Sequence, residues 1–217
     1  KQRRISIQRA LMYEALENLE LKGRILDFGG GRNVNYSKFI SKWSSKGGFE
    51  SANIEESYKP TYLLSNDGKL PVGDETFDAI FSLNTFEHIF DIKKSLKELY
   101  RVLKKDGEFV FSTPFLYKVH GCPDDFNRPT ASWWGKVLIE LNMSDIQIIP
   151  LVWDPLTSGF SICDKLFPFS FLFRLVIPFY GLIYSSLKTC KHDRNYPDVI
   201  GSQLNEFALG YIIKAKK

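Results

Sequence analysis

Residues 24–31 read Arg-Ile-Leu-Asp-Phe-Gly-Gly-Gly, an apolar run that leads through an acidic residue into three consecutive glycines. Glycine has no Cβ, so the backbone at such a site can turn sharply and approach a ligand closely. The stretch therefore predicts the first strand of an α/β sheet. Asp27 and the turn Gly29, Gly30 and Gly31 are expected beside a nucleotide-like ligand.

The composition suits one α/β domain and disfavours several partner classes. A chain of 217 residues with 44% apolar residues has ample material for a single core and one insertion. Its formal charge of +4 is small and scattered, whereas nucleic-acid binding usually needs a dense basic stripe, so no nucleic-acid partner is expected. Cys122, Cys163 and Cys190 lie far apart, which indicates free thiols rather than a disulfide framework or a zinc site. Residues 1–20 lack the apolar core of a signal peptide, so we expect a cytoplasmic protein.

After a helix within residues 1–20, short β-rich runs alternate with helical stretches along the chain. This pattern indicates a mostly parallel sheet with helices on both faces. The predicted strands are residues 23–28, 49–55, 77–83, 108–113, 145–152 and 206–215, with a weaker one at 61–65, and the predicted helices are residues 36–44, 92–103 and 131–141. Lys104 and Lys105 are expected to end the second of these helices, and Gly107 to reverse the chain.

Residues 151–205 break this alternation with prolines and a dense aromatic cluster. They are interpreted as an insertion between a cofactor-binding core, residues 23–150, and the last strand, residues 206–217, all within a single domain. Residues 167–187 are strongly apolar, but prolines and an arginine interrupt them, and a membrane span needs about 20 uninterrupted apolar residues. This segment predicts a lid or a homodimer surface. The alternative is a peripheral patch that docks on the inner face of a membrane or admits a lipid-linked substrate.

Three blocks of sequence follow one another in a characteristic order. The first is Leu-Asp-Phe-Gly-Gly-Gly at 26–31, the second runs from Asn-Asp-Gly-Lys-Leu-Pro at 66–71 through 74–82 to Phe-Glu-His-Ile at 86–89, and the third is Leu-Tyr-Arg-Val-Leu-Lys-Lys-Asp-Gly-Glu at 99–108. Together they resemble the class I S-adenosylmethionine-dependent methyltransferases of the small-molecule, type 11 kind, whereas the G-x-G-x-x-G fingerprint of dehydrogenases lacks its last glycine. The resemblance implies a Rossmann-like sheet of seven strands with an antiparallel last strand, S-adenosyl-L-methionine as cofactor, and methyl transfer.

The resemblance also assigns residues to the methionine part and to the ribose of the cofactor. Asp27 and the turn Gly29–Gly31 would lie against the methionine moiety, where Asp27 organises the ammonium group unless it merely caps the turn. Asn84 would lie near the same moiety. Glu55 would accept both ribose hydroxyls, unless the adjacent Glu56 faces the pocket or Glu55 is a solvated loop charge.

The adenine end is assigned to the pair Asp67 and Gly68. By resemblance, Asp67 would accept the exocyclic amine while the main chain of Gly68 contacts the ring. The alternative is an ordinary turn, because aspartate and glycine are common turn residues.

Residues 113–130, after the fifth strand, hold the candidates for the acceptor side. This stretch resembles the P…H-x-x-P-D-D-Y-x-R-x-T run of family members often found with cell-surface polysaccharide genes. His120 is a candidate general base because an unperturbed histidine titrates near working pH, or it is a loop histidine bonded to Asp124 or Asp125. Arg128 would clamp an anionic substrate or form an ion pair with Asp125 that fixes the loop.

No metal site is expected, because His88, His120 and His192 stand isolated along the chain. The pair Glu87–His88 is interpreted as a helix-start and packing element. The preferred acceptor is an oxygen or nitrogen of a small molecule, such as a sugar or a lipid-linked glycan of cell-surface polysaccharide synthesis. The alternatives are a methyltransferase acting on protein or nucleic acid, and a non-catalytic scaffold that retains the fold.

Overall fold

The computed structural model describes residues 6–17, 19–31, 36, 49–64, 68–121, 124–152, 154–163, 176, 179–180, 183 and 207–217. Within these ranges the helices are α1 (Ile7–Glu17), α2 (Ile92–Val102), α3 (Ala131–Glu140) and α4 (Pro155–Cys163). The strands are β1 (Ile25–Phe28), β2 (Phe49–Asn53), β3 (Tyr62–Leu63), β4 (Phe77–Leu83), β5 (Leu103–Pro114), β6 (Ser144–Leu151) and β7 (Gly210–Lys216), and 3-10 turns occupy Glu56–Tyr58 and Phe86–His88.

The strands form one seven-stranded sheet in the order β3-β2-β1-β4-β5-β7-β6. The first five strands pair in parallel, and β7 runs antiparallel to both of its neighbours. The expected Rossmann-like sheet with an antiparallel last strand is therefore confirmed. The chain moves outward from β1 to β3 and then returns to β4 on the other side of β1. In open sheets of this kind, ligands bind where the strand order reverses, at the carboxyl ends of β1 and β4.

Both faces of the sheet are covered, because successive side chains of a strand point to opposite sides. Leu26 and Ile80 lie in the core that α2 and α3 cover. Ile25 and Phe81, one residue along each strand, lie in a second core together with the buried side chains of α1. The prediction of helices on both faces is confirmed.

Helix α2 shows why a local pattern predicts this region well. Asp91 caps its start, since the side chain accepts a hydrogen bond from the Lys94 N–H at 3.0 Å. Its buried residues recur at helical spacing, at Ile92, Leu96, Leu99 and Val102. The observed helix ends one residue before the predicted boundary.

The chain reversal after α2 does not use Gly107 as predicted. Asp106 takes the left-handed conformation, with φ of 61°, and Gly107 does not. Strand β5 already begins at Leu103, ahead of the predicted residue 108. A Cβ at position 107 would lie 2.6 Å from Leu103 Cδ1, so this glycine permits close packing rather than reversal.

Strands β1, β2, β3 and β6 and helix α3 differ from their predicted bounds by one or two residues. Strand β7 begins at Gly210 rather than at residue 206. Apart from Tyr36, the helix predicted at 36–44 lies outside the described residues.

The insertion predicted at 151–205 is described in part. It opens with α4, and of residues 167–187 the structure describes 176, 179–180 and 183. Val176, Phe179 and Ile183 are each more than half exposed. Among the described residues, no helix has the length and apolar content to cross a bilayer. The function of this segment as lid, dimer surface or membrane patch stays a prediction.

Candidate active site

Asp27 lies at the carboxyl end of β1 with its side chain fully buried. Its Oδ2 atom accepts a hydrogen bond from the Tyr36 hydroxyl at 2.8 Å. Its Oδ1 atom is buried and has no hydrogen-bond partner among the described residues. Burial raises the pKa of Asp27 to about 7, and the bond from Tyr36 offsets only part of that rise. A cation placed at Oδ1, the oxygen without a partner among the described residues, would stabilise this buried carboxylate.

The three glycines after Asp27 leave no room for side chains. Gly29 has φ of +90°, and a Cβ there would lie 2.1 Å from Thr85 Oγ1. A Cβ on Gly30 would lie 1.7 Å from the Oδ2 atom of Asp27. A Cβ on Gly31 would lie 2.5 Å from a main-chain oxygen of the 3-10 turn that follows β2. The turn is thus a main-chain cradle around a buried carboxylate, which fits the methionine end of the cofactor.

Asn53, the last residue of β2, holds this turn in place. Its Nδ2 atom donates to the Gly29 carbonyl at 2.8 Å and to the Gly30 carbonyl at 3.3 Å. Asn53 was not among the residues predicted for the site. A polar side chain at the carboxyl end of a parallel strand beside a glycine turn was the available signal.

Glu55 lies beyond the end of β2 and is exposed, as is Glu56. The Glu55 side chain accepts a hydrogen bond from the Ser57 N–H at 3.3 Å and so caps the 3-10 turn. The Glu55 N–H in turn donates to Asn53 Oδ1 at 3.0 Å. This places a carboxylate at the carboxyl edge of the sheet, next to the glycine turn, and its binding to ribose stays a prediction.

The adenine end is described in part. Asp67 lies outside the described residues. Gly68 has φ of +70°, and no atom of the described residues lies within 4 Å of the position that its Cβ would occupy. Contact between its main chain and the adenine ring stays a prediction of the resemblance.

Asn84 follows β4 and takes the left-handed conformation, with φ of 48°. Its N–H donates to the Ser112 carbonyl at 3.0 Å, and the Ser112 hydroxyl donates to Asn84 Oδ1 at 3.1 Å. These bonds fix Asn84 at the carboxyl ends of β4 and β5, where the crevice was expected.

A pocket of about 110 Å³ opens beside Asn84. Its lining residues come from the start of α1, the end of β4, the following 3-10 turn and the segment after β5: Ser6, Gln8, Arg9, Asn84, Glu87, Pro114, Tyr117 and His120. The structure thus brings together Asn84, which the sequence assigned to the cofactor, and His120, which it assigned to the acceptor. Gln8 and Tyr117 were missed, because no local pattern marks them.

The segment after β5 is organised around Asp125. Both terminal nitrogens of Arg128 donate to the Asp125 carboxylate, and the His120 N–H donates to Asp125 Oδ2 at 2.9 Å. The Arg128 guanidinium holds the pKa of Asp125 below its ordinary value. Of the two alternatives for Arg128, the loop-fixing ion pair is therefore the arrangement that the structure contains. Asp124 has an exposed side chain, and its main-chain oxygen accepts from His88 Nδ1.

His88 and His120 are not isolated in the fold, contrary to the expectation from their separation in sequence. Their rings lie 5.3 Å apart at an angle of 80°. His88 Nε2 lies 3.7 Å from Oε1 of Glu87, whose side chain is fully buried. Neither carboxylate oxygen of Glu87 has a hydrogen-bond partner among the described residues, and burial raises its pKa. The turn that carries Glu87 and the loop that carries His120 meet because the Phe126 N–H donates to the Glu87 carbonyl at 2.8 Å.

Comparisons with known proteins agree with this geometry. Residues 38–111 match the family model described as a methyltransferase domain. The putative methyltransferase YrhH of Bacillus subtilis (strain 168) is 28% identical over 127 residues, which make up 51% of this chain and 69% of that protein. The sarcosine/dimethylglycine N-methyltransferase of Halorhodospira halochloris is 35% identical over 118 residues, 48% of this chain but 42% of that longer protein.

Solved structures of methyltransferases share this fold. An S-adenosylmethionine-dependent methyltransferase from Mesorhizobium loti superposes with a TM-score of 0.57 at 15% identity, covering 97% of this chain and 100% of that one. The match to the family model and the shared fold confirm the resemblance that the three sequence blocks indicate.

Proposed function

We propose that this chain, a class I S-adenosylmethionine-dependent methyltransferase, methylates an oxygen or nitrogen of a small polar acceptor, a sugar or a lipid-linked glycan of cell-surface polysaccharide synthesis. The observation that carries the proposal is the buried carboxylate of Asp27, with Oδ1 unpartnered among the described residues, beside a turn that admits no side chain. When bound, the cofactor supplies a methyl group activated by a sulfonium charge. Asp27 would hold its ammonium group, since a buried carboxylate attracts a cation strongly.

The remaining cofactor contacts follow the same edge of the sheet. Glu55 would accept the ribose hydroxyls, Asp67 would accept the adenine amine, and Gly68 would contact the ring with its main chain. Asn84, fixed by Ser112, would lie between the cofactor and the acceptor pocket.

On the acceptor side, the chain's task is alignment and removal of a proton. Methyl transfer from a sulfonium needs the acceptor atom to be in line with the methyl group, so positioning supplies much of the rate. An acceptor hydroxyl must also lose its proton, and His120 lines the pocket where this group would lie. Asp125 and Arg128 hold the segment that carries His120, and Asp124 anchors it to His88 through its main chain.

The pocket beside Asn84 has a volume of about 110 Å³ and a largely polar lining. It suits entry of one polar group of the acceptor, such as a hydroxyl or an amine. Nitrogen acceptors stay within the proposal, because one relative is named as an N-methyltransferase.

Calorimetry with S-adenosyl-L-methionine tests the cofactor half of the proposal. We expect one binding site per chain. A folded protein that shows no binding at millimolar cofactor would contradict the proposal and favour a scaffold.

Methyl transfer to nucleotide sugars and lipid-linked glycans, followed with a labelled methyl group, tests the acceptor half. We expect His120→Gln to lower kcat by about 100-fold, the usual contribution of a proton-transfer group, with an unchanged cofactor Kd. Lys118→Gln, an exposed change in the same segment, is the control and should leave kcat unchanged. An unaltered kcat in His120→Gln would remove this residue from the mechanism.

Residues 167–187 are proposed as a peripheral membrane contact, which would suit a lipid-linked acceptor. The exposed Phe179 and Ile183 side chains support this proposal. Co-sedimentation with anionic vesicles should be lost when both are changed to Asp, while Phe90→Asp, an exposed aromatic elsewhere, should retain it. Absence of vesicle binding by the unmodified protein would end the proposal.

A further inference from the structure

Glu87, His88 and His120 each offer one ligand-type atom, and these atoms all lie within 4.8 Å of one another. The closest defined pair, His88 Nε2 and Glu87 Oε1, is 3.7 Å apart. In a tetrahedral zinc site with bonds of about 2.0–2.2 Å, neighbouring ligand atoms are about 3.4 Å apart. Side-chain adjustments of about an ångström would therefore close this cluster on a metal ion.

Hydrogen-bond partners determine where the two imidazoles carry their protons. His88 Nδ1 faces the main-chain oxygen of Asp124. His120 Nδ1 faces the main-chain oxygen of Lys118 and the Oδ2 atom of Asp125, both at 3.3 Å. Because all three partners are acceptors, each Nδ1 carries the hydrogen and each Nε2 keeps its lone pair. A carbonyl or carboxylate holding the Nδ1–H is the usual surrounding of a metal-binding histidine.

The buried carboxylate of Glu87 completes this donor set. The Nε2 atom of His88 lies 3.7 Å from Glu87 Oε1, so in the tautomer with Nδ1–H its lone pair faces the carboxylate. Both Glu87 oxygens are buried and unpartnered among the described residues. Burial of these oxygens costs free energy, which the positive charge of Arg128 offsets only in part, and a cation bound between Glu87 and the histidines would offset more of it.

We propose that Glu87, His88 and His120 bind one divalent cation of the zinc class. Two imidazoles and one carboxylate suit Zn²⁺ and Co²⁺, whereas Mg²⁺ prefers oxygen ligands. Glu87 and His120 also line the acceptor pocket, so an open coordination position would be available to an acceptor oxygen. The role of the metal rests on the proposed function: it would polarise an acceptor oxygen and ease loss of its proton. His120 would then serve as a metal ligand in place of its role as general base, and the proton of the acceptor hydroxyl would pass to solvent water. The proposal replaces the expectation of no metal, which depended on isolated histidines.

Metal binding by the full chain, stripped with a chelator and studied without cofactor, tests the site directly. Calorimetry with Zn²⁺ should show one site, and Co²⁺ should give visible absorption bands of a site with nitrogen ligands. Mg²⁺ should produce neither signal. His88→Ala, His120→Ala and Glu87→Gln should each weaken Zn²⁺ binding at least 10-fold, because each removes one of three protein ligands.

The control is Glu140→Gln, which changes an exposed carboxylate paired with Lys93 at 3.1 Å and should leave Zn²⁺ binding unchanged. Circular dichroism and S-adenosyl-L-methionine binding establish that each variant is folded. The proposal is overturned when the unmodified chain binds neither Zn²⁺ nor Co²⁺ at micromolar concentration, or when the two histidine variants bind Zn²⁺ as tightly as the unmodified chain. Methyl transfer by chelator-treated protein would refute the role of the metal and leave the proposed function standing. Zn²⁺ binding that depends on these residues, without cofactor binding, would support the site and refute the proposed function.

Discussion

Two fully buried carboxylates lie at the carboxyl edge of the sheet, and the chain holds them differently. Asp27 lies against the main chain of the glycine turn that follows it directly and accepts one hydrogen bond from Tyr36. Glu87 lies in a 3-10 turn beside His88 and meets His120 from a distant segment. The centre of the first site, Asp27 and the glycine turn, lies within one short stretch that Tyr36 and Asn53 support, whereas the second is assembled from two segments more than 30 residues apart.

This difference bears on how easily each site can change. The cofactor end depends on the backbone of the glycine turn, where a Cβ at Gly29, Gly30 or Gly31 would collide with Thr85, Asp27 or Tyr58. The acceptor end depends on side-chain contacts of one loop, which can vary while the sheet stays intact. Cofactor binding and acceptor choice should therefore respond to separate substitutions.

The largest effect is expected from Gly30→Ala. The added Cβ would lie 1.7 Å from Asp27 Oδ2, so the buried carboxylate must move. We expect cofactor Kd to rise at least about 100-fold and the free energy of unfolding to fall by about 1–3 kcal/mol. Calorimetry and denaturant unfolding measure both. Gly73→Ala is the control, since no atom of a described residue lies within 4 Å of its Cβ position. Equal cofactor binding by the two variants would contradict the difference drawn between the two sites.

Asp27→Asn should weaken cofactor binding and stabilise the cofactor-free protein at neutral pH. The amide can still accept from Tyr36 but carries no charge for the ammonium group. We expect cofactor Kd to rise about 10- to 100-fold, the range for losing a charged hydrogen bond. Calorimetry at pH 8 measures this change, and an unaltered Kd would remove Asp27 from the cofactor site.

The stability effect of Asp27→Asn should depend on pH. Burial raises the pKa of Asp27 from 3.8 to about 7. As pH rises between these values, the unfolded chain loses this proton while the folded chain keeps it, so the free energy of unfolding falls. The variant has no such proton, and its advantage should grow from pH 5 to pH 8, to about 2–4 kcal/mol. Denaturant unfolding measures the free energy of unfolding of both proteins against pH. A difference between them that stays constant from pH 5 to pH 8 would contradict this explanation.

Arg128→Lys should produce the smallest effect, confined to the acceptor side. Lysine replaces two guanidinium contacts to Asp125 with one, so the loop that carries His120 loosens. We expect a several-fold higher KM for the acceptor, a loss of about 1 kcal/mol in stability and an unchanged cofactor Kd. Steady-state kinetics measure the KM, denaturant unfolding the stability, and calorimetry the cofactor Kd. A cofactor Kd that rises with KM would show that the two ends are coupled.

Sequence patterns predicted the elements whose causes are local. Strand β4 has the predicted bounds, and α2 differs by one residue, because apolar periodicity and a capping aspartate act over a few positions. Asp27 and the glycine turn were found for the same reason. The reversal after α2 was assigned to the wrong residue: Asp106 takes the left-handed conformation, and Gly107 instead allows close packing against Leu103.

By itself, the sequence determined the alternation of strands and helices, the mostly parallel sheet and the residues of the glycine turn, since each depends on chemistry within short spans, whereas the antiparallel last strand was implied by the family resemblance. The tertiary structure alone decided that Asn53 holds the turn, that Arg128 pairs with Asp125, and that His88 meets His120 beside Glu87. These contacts join residues whose separation along the chain leaves no periodic or adjacent signal. They exist because parallel strands bring their carboxyl ends to one edge of the sheet, where loops from distant positions meet.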